Sequence, residues 1–144
     1  MMIQRIILRN IPRSISNDLL TDTFWLCDAL GLSAGRDTDN VSSQIIFELL
    51  LHYHDLQGIP AEQLASHMGI SHARINHHIR NLSLIGILYR KKKRIYLRGG
   101  SLKEAVTELR KDADRIFDEL EYAATKIDEQ MGIHNRENNL ITKQ

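Results

Sequence analysis

From Gln63 to Lys103 the chain carries nine basic side chains and no carboxylate: Arg74, Arg80, Arg90, Lys91, Lys92, Lys93, Arg94, Arg98 and Lys103. The whole sequence of 144 residues is nearly balanced, with 19 Lys and Arg against 18 Asp and Glu. Everything outside the stretch therefore holds ten bases against all eighteen acids. Bases gathered in this way repel one another unless solvent ions or a polyanion screen them. Two readings follow: a solvated basic face, or a surface for a polyanion, of which nucleic acid is the commonest. Four of the seven histidines, His67, His72, His77 and His78, lie in the same stretch.

Two groups within it have types and spacing suited to nucleic acid. The first lies on a helix expected from His72 to about Ile85, opened by Ser71 as N-cap. At ~100° per residue, the face opposite Ile75, Ile79 and Leu82 is centred on Ala73, His77 and Arg80, with Arg74, Asn76 and Asn81 beside it. Arg pairs bidentately with guanine, Asn with adenine, and an Ala methyl meets a thymine methyl. Ser71 and His72, at the helix N-terminus, suit a phosphate. His78 falls nearer the buried side and reads as a satisfied, half-buried histidine. The second group is the five-base run Arg90, Lys91, Lys92, Lys93 and Arg94. Between two short strands, Ile87–Arg90 and Arg94–Arg98, it would track phosphates or enter a minor groove; the alternative is a merely solvated turn. The turn lacks an Asn-Gly or Gly-Gly signal, so its geometry is left open.

The elements that must hold these groups are legible around them. Ile3, Ile6, Ile7 and Ile11 are spaced like a short helix face, although Ile6–Leu8 equally fits a strand. Ser16 opens a helical pattern that continues through Leu30, and Ser33–Asn40 reads as a connection. A second helix is expected from Val41 to Leu56. Pro60 suits the first position of a short third helix that ends near Met68. Ala65 is small where two helices cross closely, and Gly69 allows the corner. After Gly99 and Gly100, Ser101 and Glu104 have capping-box spacing and open a long helix to about Met131. Its heptad positions Leu102, Val106, Leu109, Ala113, Ile116, Leu120, Ala123 and Ile127 are apolar, which supports a seam pairing two subunits. A helix folded back on its own core is the alternative.

Helix, glycine corner, helix and basic hairpin is the plan of a winged helix-turn-helix, with the second helix free for a major groove. The segment Ser71-His-Ala-Arg-Ile-Asn-His-His-Ile-Arg-Asn-Leu-Ser-Leu-Ile-Gly-Ile-Leu88 resembles the recognition-helix signature of ArsR-type regulators, Ser-x-x-x-Val-Ser-x-His-Leu-x-x-Leu-x-x-x-Gly-Leu-Val. Ile75, His78, Ile79, Leu82, Gly86, Ile87 and Leu88 match it in position. The resemblance spans residues 41–98 and is shared with MarR-like and PadR-like regulators. It implies a homodimeric, sequence-specific DNA-binding transcription regulator, and the long last helix is similar to the dimerisation helix of the PadR-like group. Metal-sensing ArsR members carry paired cysteines near the recognition helix; here the only cysteine is Cys27, which reads as a buried, inert thiol.

The expected fold is mainly α with a small β-hairpin: an N-terminal arm and helix at 1–39, a winged helix-turn-helix at 40–100, a pairing helix at 101–131 and a tail at 132–144. Double-stranded DNA and a second copy of the chain are the expected partners. A winged-helix RNA-binding or protein-interaction module is the alternative. No Gly-rich phosphate loop, nucleophile elbow or Cys–His arrangement is present, so an enzyme is not expected. Nor is a cofactor or a metal site: no histidines stand four apart with a carboxylate. No apolar run approaches the ~18 residues of a membrane span, and no signal peptide is read, so a cytoplasmic protein without membrane contact is expected.

Overall fold

The computed structural model describes residues 3–13, 17–32, 40–52 and 58–134. It is mainly helical, with five α-helices and a small antiparallel sheet of three strands. In chain order these are α1 (Leu19–Ala29), α2 (Val41–Leu51), β1 (Ile59–Pro60), α3 (Ala61–Met68), α4 (His72–Ile85), β2 (Leu88–Lys91), β3 (Arg94–Leu97) and α5 (Leu102–Gln130). Packing divides the chain into two compact units, Met1–Leu109 and Arg110–Gln144. Among the described residues no helix is long and apolar enough to cross a membrane.

The core of the first unit follows helical periodicity. Ile45 and Ile46 of α2, Leu64 of α3, Ile75, Ile79 and Leu82 of α4, and Ile87, Leu88 and Ile95 of the sheet region are all essentially inaccessible. Cys27 of α1 and Ala105 and Leu109 of α5 join them. Burying a side chain of this size stabilises by about 1.5–3 kcal/mol, so this cluster dominates the favourable side of folding.

The N-terminal segment is neither the helix nor the strand its isoleucines allow. It runs without regular secondary structure, and its polar groups meet helix C-termini, whose last carbonyls lack partners within the helix. The Arg5 and Arg9 N–H groups donate to the carbonyls of Leu84 (3.0 Å) and Ala29 (2.8 Å). The Gln4 side-chain amide donates to Ile85 O at 3.0 Å. The Trp25 indole N–H donates to Ile11 O at 3.2 Å, and Arg13 lies over the Trp25 ring. The arm thus caps the ends of α4 and α1.

Helix boundaries differ from expectation in three places. Asp18 caps α1; Ser16, the expected opener, lies outside the described residues. The Asp18 carboxylate accepts from the Thr21 hydroxyl at 2.6 Å and the Leu20 N–H at 3.3 Å. Those two bonds, the hydroxyl first, hold its pKa below the usual value. The description of α2 ends at Leu51, and residues 53–56 of its expected extension lie outside the described residues. Pro60 is the N-cap of α3 rather than its first residue, because it is also half of a strand. Ile59 pairs with Ile95 and Pro60 with Arg94, making β1 a third strand that the sequence reading missed.

Gly58 enters that strand at φ +74°, and a Cβ there would lie 2.8 Å from Ile95 O and 2.8 Å from the Tyr96 ring. Gly69 also has positive φ (+66°), but nothing stands within 4 Å of its Cβ position. Gly69→Ala is therefore expected to cost about 1 kcal/mol for the left-handed backbone alone. Gly58→Ala should cost more, about 2–3 kcal/mol, because backbone must also move. Urea denaturation of the two variants beside the parent checks the order; equal losses would show that the close approach at Gly58 carries no energy.

Candidate nucleic-acid interface

α4 is presented by a short corner. Gly69 adopts the left-handed conformation that ends α3, and the Ile70 N–H donates to Ala65 O at 3.2 Å. The Ser71 hydroxyl accepts the Arg74 N–H at 3.2 Å, as an N-cap should. With Ile75, Ile79 and Leu82 buried, Ser71, His72, Ala73, Arg74, His77 and Arg80 are exposed on the other side. Asn76 is half-buried and does not share their full exposure. His78 is buried and shares a hydrogen bond with Ser42 Oγ at 3.2 Å.

The chain turns from α4 into the hairpin through Gly86 (φ +98°). Register then decides where each basic side chain goes, because residues paired across strands share a face. Leu88 faces Leu97 and Arg90 faces Ile95, so Arg90 leaves β2 on the side of the buried residues. There its guanidinium donates to the Asn76 side-chain oxygen at 2.6 Å. Tyr89 and Tyr96 occupy the opposite face as a stacked pair, centroids 5.1 Å apart and planes 10° from parallel. Lys91 and Arg94 share that face. Arg94 is half-buried and donates to Gly58 O at 3.3 Å, so it ties β3 to the entrance of β1. It is less outward than the other four bases of the run, which are exposed.

Lys92 and Lys93, the two residues that join the strands, have φ of +52° and +65°. Two positive φ values are the mark of the tight hairpin loop that usually takes Asn-Gly, since a Cβ disfavours that region. Two lysines occupy it here, which accounts for the missing turn signal. Strain of this kind clusters at functional positions.

Between hairpin and helices lies a groove of about 500 Å³ lined by Pro60, Ala61, Glu62, His72, Asn76, Arg90, Lys92, Lys93 and Arg94. Four of these side chains are permanent cations and Glu62 is the one carboxylate. Elsewhere arginines stand beside acids: Arg9 by Asp28 at 2.7 Å, Arg98 by Glu108 at 3.8 Å, Arg115 by Asp112 at 2.6 Å. Such a concave, cationic surface focuses a positive field and suits a string of phosphates better than a neutral molecule. Residues 60–62 were missed by sequence reasoning, since two residues of strand leave no periodicity. The Asn76–Arg90 contact spans fourteen positions and leaves no local signal either.

The expected pairing seam on α5 is placed unevenly. In the first unit Leu109 is buried, Leu102 half-buried and Val106 39% exposed. In the second unit Ala113 is half-buried and Ala123 exposed, while Ile116, Leu120 and Ile127 are 39%, 56% and 59% exposed. Among the described residues no group of three or more His, Cys, Asp or Glu is placed to hold a metal ion. Cys27 is fully buried.

Replacing the strained pair with the residues the turn prefers separates charge from conformation. The double substitution Lys92→Asn, Lys93→Gly is expected to stabilise the protein by about 1–2 kcal/mol. The same change should lower the salt needed to elute it from heparin, because two groove cations are lost. A thermal melt and a heparin column check both; a higher melting temperature with unchanged elution would show that the two lysines hold no polyanion.

Compared with protein-family models, curated proteins and solved structures, the chain matches none of them.

Proposed function

We propose that this chain is a winged helix-turn-helix protein that binds double-stranded DNA as a homodimer and regulates transcription. One observation carries the reading: the N-terminal part of α4, through His72 and Asn76, and the basic hairpin border a single groove holding Arg90, Lys92, Lys93 and Arg94. On this reading Ala73, Arg74, His77 and Arg80 face base edges in the major groove. Ser71 and His72 approach a phosphate, and the hairpin lies along the backbone or in the flanking minor groove. Phosphate contacts supply affinity, and the α4 side chains supply sequence preference.

The homodimer is supported by the apolar stripe of α5. Ile116, Leu120 and Ile127 recur at heptad spacing and remain exposed in the single chain, as a helix awaiting a partner would leave them. Two copies would then present two α4 helices about one DNA turn apart, ~34 Å.

Binding to a fluorescent random-sequence duplex, followed by anisotropy from low to physiological salt with single-stranded RNA as competitor, tests the reading. Tight binding that falls steeply with salt and resists the RNA is the expected result. Absence of duplex binding at low salt overturns the regulator reading, and preference for the RNA replaces it with an RNA-binding module. Alanine at Lys91, Lys92 and Lys93 together should weaken binding to every sequence and lower the magnitude of the log–log salt slope by about 2–3. Arg94 is kept because it anchors β1. Arg80→Ala should instead relax base preference at one position, with a discrimination loss of about tenfold or more.

The dimer has its own check. Leu120→Glu combined with Ile127→Glu places charge on the stripe and is expected to convert a dimer to a monomer in sedimentation equilibrium. The fold of the first unit should stay intact by circular dichroism. An unchanged dimer would move the interface elsewhere.

A further inference from the structure

We propose that Asn76 is a positioning residue: it holds the Arg90 guanidinium in place to receive a phosphate, so that α4 and the hairpin engage nucleic acid as one preset surface. The inference rests on the DNA-binding reading above and assigns Asn76 a different role from the base reader its type implies.

The geometry carries this division of labour. Reading adenine takes both ends of an Asn amide, the oxygen accepting and the nitrogen donating. The Asn76 oxygen already accepts from Arg90 at 2.6 Å, and Asn76 is half-buried while its neighbours on the outer face of α4 are exposed. Arg90 in turn is aimed by its register: it pairs with the fully buried Ile95, and its side chain leaves on the core side of the sheet. The strand beneath it is stiffened by the Tyr89–Tyr96 stack, with Tyr96 in turn lying close against Gly58. A long, rotamer-rich side chain held this way loses little further freedom on binding, which is the benefit of preorganisation.

The chemistry of the holder matters as much as its position. Arg9 is gripped by the carboxylate of Asp28 at 2.7 Å, a partner that neutralises it. Arg90 is gripped by a neutral amide at a similar distance, which fixes the guanidinium but leaves its full charge for an anion. His72, Lys92 and Lys93 line the same groove, so the anion Arg90 faces is one of a chain of phosphates rather than a single small ion.

The test compares the parent protein with Asn76→Ala, Asn76→Asp, Arg90→Ala and the Asn76→Ala, Arg90→Ala double variant on the same random-sequence duplex across salt. Arg90→Ala should lose about tenfold in affinity and about one released counterion from the salt slope. Asn76→Ala should lose about threefold to tenfold, with the bases enriched from a randomised duplex pool unchanged. The double variant should be no weaker than Arg90→Ala alone. Asn76→Asp keeps the acceptor but neutralises the guanidinium, so it should match Arg90→Ala. In the free protein, the NMR signal of the Arg90 side chain should report a held guanidinium that Asn76→Ala releases and Asn76→Asp retains. Multiplicative losses in the double variant, or a changed base preference in Asn76→Ala, overturn the positioning role while leaving duplex binding intact. Failure of the parent to bind duplex at low salt removes the DNA-binding reading and the inference with it.

Discussion

Two residues of backbone pairing hold the basic hairpin to the helices. Ile59 pairs with Ile95 and Pro60 with Arg94, and the Ala61 N–H donates to Lys93 O as α3 begins. Without that short strand, β2 and β3 would be a two-stranded hairpin held to the helices by side-chain packing alone. With it, the hairpin is the far part of a three-stranded sheet whose inner residues, Leu88 and Ile95, belong to the same core as α4. The chain also enters and leaves the sheet under constraint: the Ile87 N–H donates to Leu82 O and the Arg98 N–H to Ile87 O. The groove between hairpin and α4 exists because both of its walls are fixed to one core.

Gathering cations on that groove works against folding, since each added base raises the potential the next must enter. The tip accepts two lysines in a conformation that favours glycine. Arg94 spends a donor on a backbone carbonyl, and Arg90 is held by an amide. These arrangements keep positive charge available at a defined place, which a mobile basic loop would not do.

The α5 helix answers to two demands along its length. Near its start the Ser101 hydroxyl accepts the Glu104 N–H at 3.1 Å, and Ala105 and Leu109 are buried in the first unit. In the second unit the apolar residues Ile116, Leu120 and Ile127 keep the heptad spacing but not the burial. A helix of this length with a bare apolar stripe is stable in water chiefly through what covers the stripe. That is the physical ground for proposing a second copy.

Much of this molecule could be read from order and type alone. Helical spacing marked Ile45, Ile46, Ile75, Ile79 and Leu82 as core, and Ser71 and Ser101 as caps, because a helix writes its buried face every three or four residues. The carboxylate-free stretch and the outer face of α4 were legible for the same reason: charge and period are local properties. The arm at 3–13 was not, because its hydrogen bonds go to helix ends far along the chain, and neither a 3.6 nor a 2.0 period records them. β1 escaped notice because two residues have no period at all. The sequence by itself determined which residues are cationic, which lie on the outer face of α4 and where α2, α4 and α5 begin. Only the tertiary structure decided that Arg90 bonds to Asn76, that Arg94 anchors a strand and that Lys92 and Lys93 take the strained turn. Those outcomes depend on strand register and on contacts between distant residues, and each is set by packing around a shared core rather than by any neighbour in sequence.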